Sequence, residues 1–214
     1  MSTANPAPAV GLSHGGSEDT GLGQRGPESK SIVVPYGFWL FVLSDIVLFS
    51  ALFASYASLV HSTDYGPTTN QLFSRTTAAW ETAALLLSTF VCGLALIAAK
   101  RQNMFWTQVW LVATGVFGLV FLTLELREFA EFISIGAGPQ RSAFLSSFFT
   151  LVGCHGAHVT AGLMWLGTMM AQIWAKGFQE HIQRRLLCFT IFWHALDIIW
   201  VAIFTIVYLI GTLP

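Results

Sequence analysis

The chain has 214 residues, of which 54% are hydrophobic and 10% charged, with eight Trp and eighteen Phe. A soluble domain carries roughly 25% charged residues, so this composition excludes an ordinary soluble domain and points to an integral membrane protein. The formal net charge of −1 leaves no global field to recruit nucleic acid or an acidic substrate.

In chain order, residues 1–30 are rich in Gly, Ser, Pro and charges and have no apolar period. They read as a disordered tail ahead of a membrane domain over 31–214. The tail has no apolar core of the kind a cleaved signal peptide needs, so the first membrane helix is expected to do its own targeting. Five apolar runs follow, at about 35–60, 77–99, 107–132, 143–174 and 186–210. Each exceeds the roughly 20 residues that cross a bilayer. Pro35 stands where a first-turn proline is tolerated, and Gly138-Pro139-Gln140 marks a turn between the third and fourth runs. The expected fold class is therefore all-α, an integral membrane bundle of five transmembrane helices.

Lys and Arg in the short connections give the orientation. Arg25, Lys30, Lys100, Arg101, Lys176, Arg184 and Arg185 fall on one side, against Arg75 and Arg141 on the other, with Arg127 near the end of the third run. This bias predicts a cytoplasmic N-terminus and, after five crossings, a C-terminus outside.

The fourth run carries Gly153-Cys-His-Gly-Ala-His-Val-Thr-Ala-Gly162. Gly153, Ala157 and Ala161 recur every four residues, a small-residue ladder expected to let another helix approach closely. His155 and His158 are three apart and share a face. Intramembrane ionisable groups are costly and point into a bundle, so this helix is expected to be central.

At about 1.5 Å per residue, Asp45, His155, His158, His194 and Asp197 reach similar depths in the cytoplasmic half. Two readings stand for them. One is a metal or haem site, since imidazole and carboxylate suit iron or zinc. The other is interhelical hydrogen bonding. An i, i+3 pair on one helix cannot supply both axial ligands of a haem. A second group, Glu81 at the start of the second run and Glu125, Arg127, Glu128 and Glu131 at the end of the third, reads as an interfacial solvated cluster, with Glu125 the deepest. Asp45 is expected to pair with His158 or His194. Cys92, Cys154 and Cys188 lie in apolar surroundings without C-x-x-C spacing and read as small buried hydrophobes. Trp106, Trp110, Trp165, Trp174, Trp193 and Trp200 read as interface anchors or packing residues.

The Gly153–Gly162 segment resembles the G-x-H-G-x-H-V-x-x-G signature of haem-copper oxidase subunit III. Phe192-Trp-His-Ala-Leu-Asp-Ile-Ile-Trp200 is similar to the W-H-x-x-D-x-x-W segment of that family. Ser44-Asp45 falls where the family has an acidic residue after Ser; many members have Glu there. Glu125–Glu131 is similar to the acidic-aromatic segment closing a further family helix. The resemblance covers residues 35–212. Seven-helix members have two more helices before the one with the acidic residue; this five-helix form is closest to the cytochrome o ubiquinol oxidase type, in which those helices come from subunit I.

The resemblance implies a non-catalytic subunit of a proton-pumping terminal ubiquinol oxidase, in the bacterial cytoplasmic (inner) membrane. It implies no catalytic, cofactor or metal residue in this chain. Haem and copper belong to the partner subunit I, and subunits II and IV, membrane lipids and a bound phospholipid are the other expected partners. The chain would support assembly, lipid packing and sustained proton uptake by subunit I. The acidic residue matching Asp45 is expected to react with hydrophobic carbodiimides. Alternatives are a cytochrome c oxidase subunit III, a stand-alone membrane metalloprotein and a proton-coupled transporter.

Overall fold

The computed structural model describes residues 30–60 and 75–210. The expected tail, the 61–74 connection and residues 211–214 lie outside the described residues. Five helices follow in order: α1 (Lys30–Leu59), α2 (Arg75–Lys100), α3 (Met104–Ser134), α4 (Ala143–Lys176) and α5 (Glu180–Ile203), the last continued by a π-helical segment, Phe204–Ile210.

Length and composition mark four of these helices as membrane-crossing spans: Val33–Leu59, Thr76–Lys100, Met104–Ser134 and Glu180–Leu209. α4 has 34 residues and ample length. Its polar residues, His155 and His158 among them, thin its apolar character. It runs antiparallel to α3 and α5 along their length, as the pairs Gly118–Leu163, Phe129–Phe149, Trp165–Phe189 and His155–Trp200 show, and so crosses with them.

Helix ends depart from the hydropathy runs where polar residues do the capping. Asn103 accepts from the Trp106 amide (3.3 Å) and starts α3 three residues before the apolar run, satisfying an otherwise orphaned helix donor. Ser142 caps α4 in the same way through the Leu145 amide (3.2 Å), and Gly177 ends it at φ 67°, a left-handed conformation that glycine adopts without steric cost. α5 begins six residues before its apolar run. Its polar first turns are tied by an Arg184–Glu180 ion pair (3.6 Å) and an Arg185–Gln172 hydrogen bond (3.0 Å). α1 begins before Pro35, which lies inside it.

The chain packs α2 on α3, α3 on α4, α4 on α5 and α5 back on α2, so these four close a ring. α1 lies outside the ring, in the groove between α4 and α5. Only one side of α1 is covered; Val42, Phe49 and Tyr56, spaced by seven residues, are buried while Val47 and Tyr36 are largely exposed. A helix that is apolar on its bare side as well is matched to lipid rather than water. α4 is a central helix as expected, but it shares that position with α5; each touches three other helices.

Among the described residues, the expected small-residue ladder brings no other helix of this chain close. Ala157 and Ala161 are exposed, and Gly153 is only partly covered, with Phe129 as its one near neighbour at 3.8 Å. The close approaches are instead made by Gly156 and Gly162 of α4 and by Gly115 and Gly118 of α3. A Cβ at Gly162 would lie 2.7 Å from the Trp193 ring, and one at Gly118 3.0 Å from the same ring. The Trp193 indole thus occupies a slot between α3 and α4 that only glycine leaves open.

Candidate functional site

The Trp193 slot begins a chain of hydrogen bonds across the ring. Its indole N–H donates to Ser88 Oγ on α2 (3.0 Å), and Ser88 donates to the Thr114 carbonyl on α3 (2.9 Å). Two turns further along α5, Trp200 donates to Thr82 Oγ1 on α2 (3.1 Å). In the π-helical segment, Tyr208 donates to Glu128 Oε2 on α3 (2.7 Å). Each bond satisfies a polar tip that would otherwise be orphaned in an apolar interior. Together they tie α5 to α2 and α3.

The carboxyls belong to this interior. Glu81, Glu125 and Glu128 are all buried, at 0%, 1% and 6% exposure. This corrects the expectation of a solvated interfacial cluster. Glu81 on α2 lies near both Glu128 and Glu125 on α3. Glu125 reaches α4 at Gly156, where a Cβ would lie 2.6 Å from its Oε1. The acidic group is therefore covered by neighbouring helices and sits beside the histidine signature. Arg127 and Glu131, the other members expected there, are exposed. Among the described residues, the oxygens of Glu81 and Glu125 have no hydrogen-bond partner.

His155 is fully buried next to this group, ringed by Phe49, Phe121 and Trp200 with ring centroids 6.3, 5.7 and 5.2 Å away. His158, three residues on, turns to the α1 seam. It packs edge-on to Phe49 at 5.3 Å, and its Nδ1 bonds the Cys154 carbonyl of its own helix (2.7 Å). His194 Nδ1 does the same with the Thr190 carbonyl (2.8 Å). Asp197 is buried on α5, within electrostatic reach of His194. Asp45 is half-buried and makes no hydrogen bond or ion pair to His158 or His194 among the described residues. The expected Asp45–imidazole pair is therefore absent from this arrangement; each imidazole uses Nδ1 on its own helix backbone.

The single depth-matched group thus divides in two. His155 is fully buried between Phe121 of α3, Trp200 of α5 and Phe49 of α1, and Asp197 is buried on α5, while Asp45, His158 and His194 are half-buried. His194 also lines an apolar cleft of about 460 Å³ between α1 and α5, with Trp39, Phe49 and Phe53. Among the described residues, no three His, Cys, Asp or Glu side chains are arranged to hold a metal ion. Cys92 and Cys188 are buried free thiols, and Cys154 is partly covered. The tryptophans split as the two readings allowed: Trp193 and Trp200 are core, while Trp174 is 82% exposed and Trp106 49%. Tyr208, Ser88, Gly118 and the Gly156/Gly162 pair were not singled out from sequence.

Apolar spans closed into a ring, with polar side chains turned inward as interhelix ties, define a multi-pass membrane helical bundle. The sequence comparisons narrow this class. Residues 17–212 match the family model described as cytochrome c oxidase subunit III. The chain is 47% identical over 178 residues, 83% of it and 85% of the relative, to the Pseudomonas aeruginosa protein named cytochrome bo(3) ubiquinol oxidase subunit 3. It is 43% identical to the Buchnera aphidicola subsp. Baizongia pistaciae protein of the same name, over 82% of this chain and 90% of that one. A Staphylococcus haemolyticus protein named probable quinol oxidase subunit 3 is 38% identical over 82% of this chain and 88% of its own. The chain belongs to the cytochrome c oxidase subunit III family and is a subunit of a haem-copper oxidase complex.

Proposed function

We propose that the chain is the non-catalytic subunit III of a proton-pumping ubiquinol oxidase of the cytochrome o type. Haem and copper belong to subunit I in this reading, and subunits I, II and IV and membrane lipids are the partners. The chain lies in the bacterial cytoplasmic membrane with its N-terminus in the cytoplasm. Its part is to hold the complex together and to keep proton uptake by subunit I going through repeated turnovers.

The observation that carries the structural role is the set of ties across the ring: Trp193–Ser88–Thr114, Trp200–Thr82 and Tyr208–Glu128. The buried polar tips of Trp193, Trp200 and Tyr208 are spent on holding helices to one another, while the oxygens of Glu81 and Glu125 and both ring nitrogens of His155 have no hydrogen-bond partner among the described residues. The names of the Pseudomonas and Buchnera relatives support the choice of ubiquinol. The family description favours a second reading, in which the electron donor is cytochrome c.

The donor is decided by capturing the complex through a tag on this chain and assaying it with ubiquinol and with reduced cytochrome c. Ubiquinol-driven oxygen consumption without cytochrome c oxidation is the expected result. Oxidation of cytochrome c alone would replace the proposal with the second reading.

A further inference from the structure

The α2–α3 hairpin opens into a cleft at its turn. Leu94, Ile97 and Arg101 form one stripe on α2 and its end, and Trp106 and Trp110 form the facing stripe on α3, with Asn103 at the mouth. Spacings of three, four and four residues keep each stripe on one side of its helix. The cleft holds about 380 Å³, within the roughly 300–1,000 Å³ range of ligand sites. Its walls are apolar, and its charge is concentrated at one end.

Arg101 follows the last residue of α2, so its guanidinium lies where the hydrocarbon span ends. It is exposed and has no side-chain hydrogen bond or ion pair among the described residues. Asn103 uses its Oδ1 to cap α3, leaving its amide N–H groups as donors at the same mouth. Trp106 and Trp110 stack at 5.8 Å with an interplanar angle of 25°, which gives the α3 wall a flat aromatic surface. Ile97 is half exposed opposite it.

We infer that this cleft binds one anionic phospholipid. The phosphate would meet Arg101 and the Asn103 amide at the mouth, and an acyl chain would lie along Ile97 and Leu94 against the two indoles. Charge complementarity selects this occupant. A planar guanidinium without a carboxylate partner matches a phosphate through charge-assisted, two-pronged hydrogen bonding, and tryptophan sits well where one end of a ligand is polar and the other apolar. The site is remote from α1 and from the cleft that α1 forms with α5.

The purified oxidase complex, stripped of lipid in mild detergent, is titrated with phosphatidylglycerol, and bound lipid is counted by native mass spectrometry. The wild type should show one tight addition that is roughly tenfold weaker in Arg101→Gln, the loss expected for a charged hydrogen bond, and weaker in Trp106→Leu. Arg127→Gln, at an exposed arginine elsewhere on α3, should leave it unchanged. Phosphatidylcholine, whose choline cation offsets the phosphate charge, should bind less tightly and lose less on Arg101→Gln. Equal phosphatidylglycerol binding in the wild type and Arg101→Gln would overturn the inference. So would displacement of the lipid by inorganic phosphate alone, which marks a bare anion site. Loss of a partner subunit, rather than of lipid, in Arg101→Gln would also overturn it by assigning the cleft to a protein contact.

Discussion

The Glu125 carboxyl stands where a side chain at residue 156 would have to be: a Cβ built on Gly156 falls 2.6 Å from Glu125 Oε1. The acid on α3 and the glycine on α4 are therefore a matched pair. Gly156→Ala should force the buried carboxyl aside and destabilise the complex by about 1–3 kcal/mol, the usual cost of overpacking. Glu125→Ala should relieve much of that loss, with a coupling in the range of roughly 0.5–3 kcal/mol. Thermal unfolding of the four complexes of the cycle measures it. Additive effects would mean that the two residues do not share space.

Trp193 and Ser88 offer a second cycle. Trp193→Phe keeps most of the ring and removes the donor, while Ser88→Ala removes the hydroxyl that relays to the Thr114 carbonyl. Hydrogen bonds between membrane helices are worth about 0.6 kcal/mol on average and up to roughly 1.7. Each single variant should lose an amount in that range, and the double variant less than their sum. A double variant that loses the full sum would show that the relay contributes no coupling.

Tyr208 is the partner that Glu128 depends on. Tyr208→Phe leaves a buried carboxyl without its donor and should cost about 1–3 kcal/mol, read as a lower yield of intact complex and a lower unfolding temperature. Glu128→Gln retains an acceptor oxygen for the Tyr208 hydroxyl and should be the milder change. If Glu128→Gln is the more damaging of the two, the carboxyl does something other than accept this bond.

The structure changes the expectation for Asp45. Asp45 makes no hydrogen bond or ion pair among the described residues, so replacing it orphans no partner. Asp45→Asn and Asp45→Leu should therefore both assemble, within about 0.5 kcal/mol of the wild type as for sites without a specific contact, and retain most of the initial oxidase rate per haem. Complete loss of turnover in a fully assembled Asp45→Asn complex would identify this carboxyl as an obligatory proton carrier.

The helices were legible because lipid demands long apolar runs, and five such runs stand in the sequence. Their ends were less so. Asn103 and the charged first turns of α5 extend helices into residues that hydropathy scores as loop, since capping and an Arg184–Glu180 pair work outside the hydrocarbon. The site was legible in composition but not in direction. Counting residues along a helix gives depth, which placed His155, His158 and His194 near one level, but rotation decides their surroundings. Rotation sent His155 to the interior and His158 to the α1 seam, and turned the Gly153 ladder outward. The burial of Glu81 and Glu125 was not legible for a related reason: position near the end of an apolar run does not reveal which neighbours close over it.

The central claim is that this chain supports a haem-bearing partner without carrying the chemistry itself. It is tested by capturing the tagged chain from native membranes, recording the haem spectrum, then separating the subunits and recording it again on this chain alone. The account predicts a haem-bearing subunit in the first sample and no haem absorbance with the separated chain. A haem band that stays with this chain and disappears in His155→Ala would contradict it.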